Sequence, residues 1–546
     1  MIAKNMKTSI LLRRLLALPI VGAIMATAAH AAAPGITGPT FNLTAQPAFL
    51  NQPDGNTVYS WGYGCNGAPT GYAPAAISGA TCPTMQVPGP TLIVTENTTV
   101  TVTLTNNLPA PAGNTSILFP GFNVTATGGV QGLLTQEAAN NSTVTYTFVA
   151  NSPGTHAYYS GTQGDLQVEM GLYGAIIVLP ATVPAVCTAG LPVAAPGNNA
   201  AAKAYWKEAD FRLAPAAYDS PKSCYDREYL FQWAEMDPNI HNTALAQATA
   251  LAGCTAGAPG CSLDVPTEPY HPAYFLINGR SMPDDMDPNF AAEYPHQPYN
   301  GNPHMHPGEM TLIRTIGQGR WQHPFHEHAN HVRILARDGN MQLAANGSDL
   351  AGLLMFNTDT TPGEAFDGIF YFTGRGLNWD AYGHHPNDTA DPLASLSCTP
   401  DANGYNTSAP TAVNYFEWCQ DHNKPLEVNP IGDVAAGGPA TLPNPNIFTN
   451  GAWYGGTPYL GPDATLRGGG TQACASTTGS TAANQASPCS TLQPSNTQAN
   501  PAAERGWAYM WHSHNEREIT TNNVFPGGML MMMLVDTREF VIDETK

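Results

Sequence analysis

Charge is scarce in this chain, and positive charge is scarcer. Of 546 residues only 11% are charged, and 21 Lys and Arg stand against 41 Asp and Glu, a formal net charge of −20. Such a surface repels nucleic acid and anionic membranes and draws cations, metal ions among them. Beyond the N-terminal region no apolar run is long enough to cross a bilayer, so no membrane span is expected in the mature chain. A phosphate-binding loop, a dinucleotide fingerprint and a nucleophile elbow are missing, which removes the chemistries those motifs carry. Helical periodicity is confined to one modest stretch, Asn242 to Ala252. What abounds is turn chemistry: 53 Gly and 48 Pro, with many Thr and Asn, fit a β-rich, loop-rich exported protein.

The first residues read as an export signal. Lys4, Lys7, Arg13 and Arg14 form a basic region, Leu15 to Ala29 a short apolar run broken by Pro19, and Ala29-His30-Ala31 a small-residue cleavage site. With Ala31 as the last signal residue, the mature chain would carry a net charge near −24, since the four basic residues leave with it. The expected location is the periplasm, the outer surface or the medium. Ten Cys in such a compartment suggest disulfides between sequence neighbours: Cys65 with Cys82, Cys187 with Cys224, Cys254 with Cys261, Cys398 with Cys419, and Cys474 with Cys489.

Alternating β-branched and polar residues mark strands at Thr91–Asn106 and Thr143–Ala150, and Ala175–Leu179 is a buried-strand run. Strand character restarts at Glu228–Trp233 and recurs at Phe275–Arg280, Glu309–Arg314, Val332–Ala336 and Glu364–Phe372. It returns at Trp507 and ends with Met529–Val535. The expected class is all-β, built of tandem Greek-key β-sandwiches. The expected layout is a signal at 1–31, a first domain at 34–180, a connector at 181–223 and a second domain at 224–540. The second domain would carry a loop-rich insertion at about 385–505.

Five of the 16 histidines fall in two short segments, His323-Pro-Phe-His326-Glu-His328 and His512-Ser513-His514. Residues two apart on a strand share a face. His326 with His328, and His512 with His514, therefore each present two imidazoles to one side. Facing pairs would make a nitrogen-rich metal site, while Glu327 would point away. Imidazole suits Cu, Zn, Fe and Ni, and among divalent first-row metals Cu(II) binds most tightly.

The order of motifs resembles the multicopper oxidase family of cupredoxin-fold proteins. In the second unit these are Phe275-Leu-Ile-Asn-Gly-Arg280, Pro307-Gly-Glu309, His323 to His328, Ala336-Arg-Asp-Gly339, Pro362-Gly-Glu364, and Trp511-His-Ser-His514 leading to Pro526-Gly-Gly-Met529. In the first they are Pro88-Gly-Pro-Thr91, Thr115-Ser-Ile117, Gly154-Thr155 and Gly171-Leu-Tyr-Gly174. The resemblance implies cupredoxin-like sandwiches, copper as cofactor, and His326, His328, His512 and His514 as ligands of a copper cluster. It makes His323 a weaker candidate as a blue-copper ligand and Met529 a weak axial one. It also implies a reducing partner and admits a homotrimer with shared sites. The departures are as informative. Leu118-Phe119-Pro120 and Tyr159-Ser160-Gly161 stand where first-domain His pairs belong. Ser513 stands where the blue-site Cys belongs, and Glu518 lies near the place of its second His. A blue site needs the thiolate, so the family's usual four-electron oxidase route is not expected.

The function implied is an exported copper-binding protein, an atypical oxidoreductase acting on metal ions or another reductant through the remaining four His. A non-enzymatic copper-binding or storage protein, and a structural protein on a degenerate scaffold, remain alternatives. Lesser candidates are His304-Met305-His306, read as a solvent-exposed loop with an auxiliary copper site as the alternative, His384-His385, read as capping a loop, and His331, read either as donating a hydrogen bond to a metal ligand or as an ordinary strand residue. Asp284, Asp285 and Asp287 are read as a solvated turn, and Met529–Met533 as a core strand.

Overall fold

A computed structural model describes residues 32–188, 209–372, 397–402, 404–406, 408, 417, 419, 457–459, 506–536, 542 and 544. The proposed signal, His384-His385 and most of the expected insertion lie outside these residues.

Alternation in the sequence becomes burial in the structure. Along Thr99–Asn106 the residues Val100, Val102 and Leu104 face inward while the intervening threonines face out. The partner strand Thr143–Val149 does the same with Val144, Tyr146 and Phe148. The pair runs antiparallel with Thr143 opposite Thr105, and the outward Thr103 and Thr145 hydroxyls meet at 3.1 Å. Two five-stranded sheets form this first sandwich. One runs in the order Gly154–Tyr159, Tyr173–Leu179, Leu92–Thr95, Gly35–Thr37, Tyr72–Ala73. The other runs Thr57–Cys65, Thr40–Asn51, Thr99–Asn106, Thr143–Val149, Thr125–Thr127. Trp61, Tyr63, Tyr146 and Phe148 fill the space between them.

The second sandwich faces a larger sheet against the one that bears the histidines. The larger includes Tyr274–Ile277, Arg227–Met236, Met310–Gly317, Ala365–Tyr371 and Val332–Arg337. The histidine sheet has His304–Met305, Leu530–Asp536, Gly506–Ser513, His323–Glu327 and Asn357–Thr360. Phe231, Trp233, Phe325, Phe370, Trp511, Met529, Met531 and Met533 form the core between them. The all-β class is as expected. The one long helix among the described residues, Pro238–Ala250, starts earlier than the periodicity suggested, because Asp237 caps it by accepting from the Asn239 N–H and Pro238 fits the first turn.

Arg227–Met236 is buried on both faces, since the first sandwich covers the outside of its sheet. Ala157, Ala175 and Ile177 from one unit meet Leu230, Ile316 and Ala365 from the other. A buried polar knot crosses the same junction. Thr155 Oγ1 donates to Asp367 Oδ1 at 2.6 Å, and Arg314 Nη1 donates to Thr155 Oγ1 at 3.1 Å. Arg314 Nε is bonded to Glu228 Oε2 at 2.8 Å, and the Tyr218 hydroxyl also donates to Asp367.

Four disulfides join Cys65 to Cys82, Cys187 to Cys224, Cys254 to Cys261 and Cys398 to Cys419. The expected Cys474–Cys489 pair falls outside the described residues. No helix among the described residues is long and apolar enough to cross a membrane.

Removing Asp367 takes the acceptor from the buried Thr155 and Tyr218 hydroxyls and one of two carboxylates from the buried Arg314. The expected cost of Asp367→Ala is about 3–5 kcal/mol, the range for breaking a buried ion pair from one side. Denaturant unfolding checks it, and a loss under about 1 kcal/mol would show that the knot is replaceable.

Candidate metal centre

His323–Glu327 pairs antiparallel with Gly506–Ser513, placing Phe325 opposite Ser513, His326 opposite His512, and Glu327 opposite Trp511. Alternation then sorts the side chains. Phe325, Glu327, Trp511 and Ser513 turn into the core, each at most 1% exposed. His326 and His512 turn to the other face. His328, one residue beyond its strand, and His514 follow them. Ring centroids of His326 lie 4.8 Å from His328, 5.4 Å from His512 and 4.8 Å from His514. The nitrogens of His326, His328 and His512 converge within 4.8 Å of one another. His514 stands at the exposed rim of this group. Phe356, half exposed, packs edge-on against His326 on one side and His331 on the other.

Backbone carbonyls fix two of the tautomers. His326 Nδ1 lies 2.6 Å from the Phe356 carbonyl oxygen, and His512 Nδ1 lies 2.7 Å from that of Ser513. A carbonyl only accepts, so each Nδ1 carries the proton and each Nε2 is left with a bare lone pair. This is the orientation a backbone carbonyl gives a metal-binding imidazole. His512 Nε2 is 3.3 Å from His328 Nε2. Two nitrogens each about 2 Å from one ion at a tetrahedral angle would lie about 3.3 Å apart, so the spacing fits a shared ion. Burial and the neighbouring imidazoles hold His328 down to about 4. His326 and His512 are lowered as well, first by burial. The group is therefore uncharged near neutral pH, the form that ligates. The donor set fits copper.

The blue-copper donor set does not fit. His323 is fully buried with both ring nitrogens engaged, Nε2 with Glu235 Oε2 at 2.9 Å and Nδ1 with Glu518 Oε2 at 2.8 Å. Ser513 Oγ donates to that same Glu518 oxygen at 2.5 Å. Met529 is buried in the core between the sheets. His323 and Met529 thus lie apart from the three converging imidazoles, and among the described residues no thiolate stands beside them. Glu235 was not singled out from the sequence. A lone carboxylate in the apolar run Phe231-Gln-Trp-Ala-Glu-Met236 is the signal that could have found it.

The multicopper oxidase family model matches residues 79–182. That segment is similar to a multicopper oxidase domain. Among solved structures the chain is similar to the multicopper oxidase mgLAC, at 13% identity over 92% of this chain and 88% of that one, TM-score 0.41. It is also similar to the blue copper oxidase of Nitrosomonas europaea, at 14% identity over 91% and 85%, TM-score 0.41. A copper nitrite reductase of the same organism shares 18% identity over 62% and 86%, TM-score 0.36. These likenesses are too distant to bear on chemistry. No curated protein matches the chain.

Within the matched segment, the two stretches where the resemblance leads one to expect His pairs do meet. The Leu118 N–H donates to the Tyr159 carbonyl at 2.7 Å, and Tyr159 returns the bond. They meet without ligands. A Cβ placed on Gly161 would lie 2.7 Å from Leu118 Cγ, so no larger residue fits there unless Leu118 moves. Two lesser readings need correction. His304 and His306 are 1% and 2% exposed, because the strand His304–Met305 joins the edge of the histidine sheet beside Leu534–Val535. Asp285 is also fully buried, since the loop that contains it folds back around Arg280. His304, His306 and Asp285 are therefore not in solvated loops, while Asp287 is exposed as expected and Asp284 is partly so.

Burial alone would push the His323 imidazolium down, but Glu235 and Glu518 outweigh it and hold the group up to about 9. A folded-state value above the ordinary 6.5 means that this contribution to stability is complete below 6.5 and is lost as pH rises through 9. The denaturant midpoint of the metal-free protein should fall between pH 6.5 and about 9.5, and His323→Gln should flatten that fall. An unchanged slope in the variant would assign the pH dependence to other groups.

Proposed function

We propose that this chain is an exported copper-binding protein with one metal centre, made by His326, His328 and His512 with His514 at its rim. The observation that carries the reading is the pair of carbonyl-fixed tautomers, which leave the Nε2 lone pairs of His326 and His512 bare in a group of three imidazoles whose nitrogens lie within 4.8 Å of one another. Bound copper would supply one-electron redox chemistry there. The chain itself supplies three neutral imidazoles and a hydrogen-bonded backbone that orients two of them. It also supplies an open rim through which a partner reaches the site.

On this reading the protein is an atypical oxidoreductase. His326 and His328 are only partly buried and His514 is exposed, so a reductant can approach the imidazole edges directly. The net charge of −20 favours a cationic one, including a reduced metal ion as substrate. The closed packing of Leu118, Tyr159 and Gly161 favours a second reading, a copper-binding or storage protein without turnover. It removes the partner ligands that a multinuclear oxygen-reducing centre would need.

Metal analysis and electron paramagnetic resonance of copper-loaded protein should show one nitrogen-ligated, non-blue copper per chain. His328→Ala or His512→Ala should abolish it. Retained copper in both variants would refute the site. Oxygen uptake with Fe(II), Mn(II) or an organic reductant separates the readings: turnover that disappears with His512→Ala supports the oxidoreductase, and none supports storage.

A further inference from the structure

Glu518 is a point of convergence. Its Oε2 accepts from Ser513 Oγ at 2.5 Å and lies 2.8 Å from His323 Nδ1, while its Oε1 accepts from Asn515 Nδ2 at 2.8 Å. Ser513 and His323 are fully buried and Glu518 is 1% exposed. The backbone of Glu518 is held as well. Its N–H donates to the Asn515 carbonyl and its own carbonyl accepts from the Met529 N–H, each at 2.8 Å. The carboxylate is therefore fixed from both ends and cannot swing out without breaking buried hydrogen bonds.

On its far side His323 meets Glu235, whose other oxygen accepts from the Tyr270 hydroxyl at 3.0 Å and from the N–H groups of Arg320 and Trp321 at 2.8 Å each. A carboxylate on the second nitrogen is how a metal-ligating imidazole is normally oriented. The far side of His323 is thus arranged as for a ligand. Only the near side departs, and there the departure is a carboxylate oxygen.

We propose that Glu518 is a built-in plug, with its Oε2 occupying the place where His323 and residue 513 would otherwise share a metal ion. The chain is closed to a second metal by its own side chain and not by the absence of a cysteine alone. An entering ion would have to strip a buried carboxylate from three hydrogen bonds, and a hydroxyl at 513 offers it no soft donor in exchange. This inference is independent of whether His326, His328 and His512 hold copper.

Copper titration of three forms tests it, each made also with His328→Ala so that the neighbouring centre does not contribute. The S513C variant restores the thiol but leaves the plug. It should show no intense thiolate-to-copper visible band and no additional copper. The S513C/E518H variant removes the plug and completes two His and a Cys, the donor set of a blue site. It should gain the band and one more copper per chain. If it lacks the native circular dichroism, S513C/E518A with added imidazole takes its place, the free imidazole filling the space left by the carboxylate. A visible band in S513C alone would overturn the proposal. So would its absence from a folded double variant, or a second copper in the unaltered chain that His323→Ala removes.

Discussion

The clamp of His323 between Glu235 and Glu518 is the constraint on which the candidate centre hangs. Three ionisable groups are taken out of water together, which is costly unless each charge meets an opposite one in good geometry. Here they come from three places: the strand Arg227–Met236, the strand His323–Glu327 and the turn after Ser513. The clamp therefore ties the two sheets of the second sandwich to each other. It also sets the centre from both sides. His326 and His328 follow His323 on one strand, and Ser513, between His512 and His514, is bonded to the same Glu518 oxygen. Both halves of the imidazole group refer to one carboxylate.

The two sandwiches have divided what the fold offers. The first keeps the segment that the family model recognises, yet its facing positions are closed by Leu118 against Tyr159 and Gly161. Freed of ligands, that domain serves as a packing partner, covering the outer face of the sheet that contains Arg227–Met236. The second sandwich keeps the imidazoles. Its burial of Glu235 on the strand next to that junction means that inter-domain packing and the clamp share a structural element. The hydroxyl of Tyr270 extends the link, reaching Glu235 from one side and Glu169 of the first unit from the other.

How much of this could be read from residues alone follows from the range of each interaction. Alternation in Thr99–Asn106 and Thr143–Val149 is a local signal, and it placed the strands. Neighbouring Cys closed short loops, as loop entropy favours. The spacing of His326, His328, His512 and His514 put them on common faces because strand period is local too. The limits appear where a partner is distant in sequence. Glu235 is 88 residues from His323, and the Phe356 carbonyl that fixes His326 is 30 residues away and has no side-chain signature at all. His304 and Asp285 were misread because their polarity argued for solvent, while sheet pairing and the fold around Arg280 decided otherwise. The closure of Gly161 is likewise invisible in the sequence, since it depends on where Leu118 packs.

The absence of a thiolate also bears on how electrons could reach the proposed centre. A blue site normally stands between reductant and cluster and supplies a covalent path through the cysteine. With Ser513 and Glu518 in that place, the path ends in a hydrogen bond between oxygens, neither of which can change oxidation state. Any exchange with the proposed copper must then pass through the imidazole edges themselves. Those edges lie at the half-exposed His326 and His328 and the exposed His514, beside the exposed ring of Phe356. Selectivity would follow from what can rest against that rim. A small cation is favoured by the acidic surface, and a flat organic donor by the aromatic ring. A bulky protein donor would have to meet the rim without the groove and the buried relay that a blue site provides.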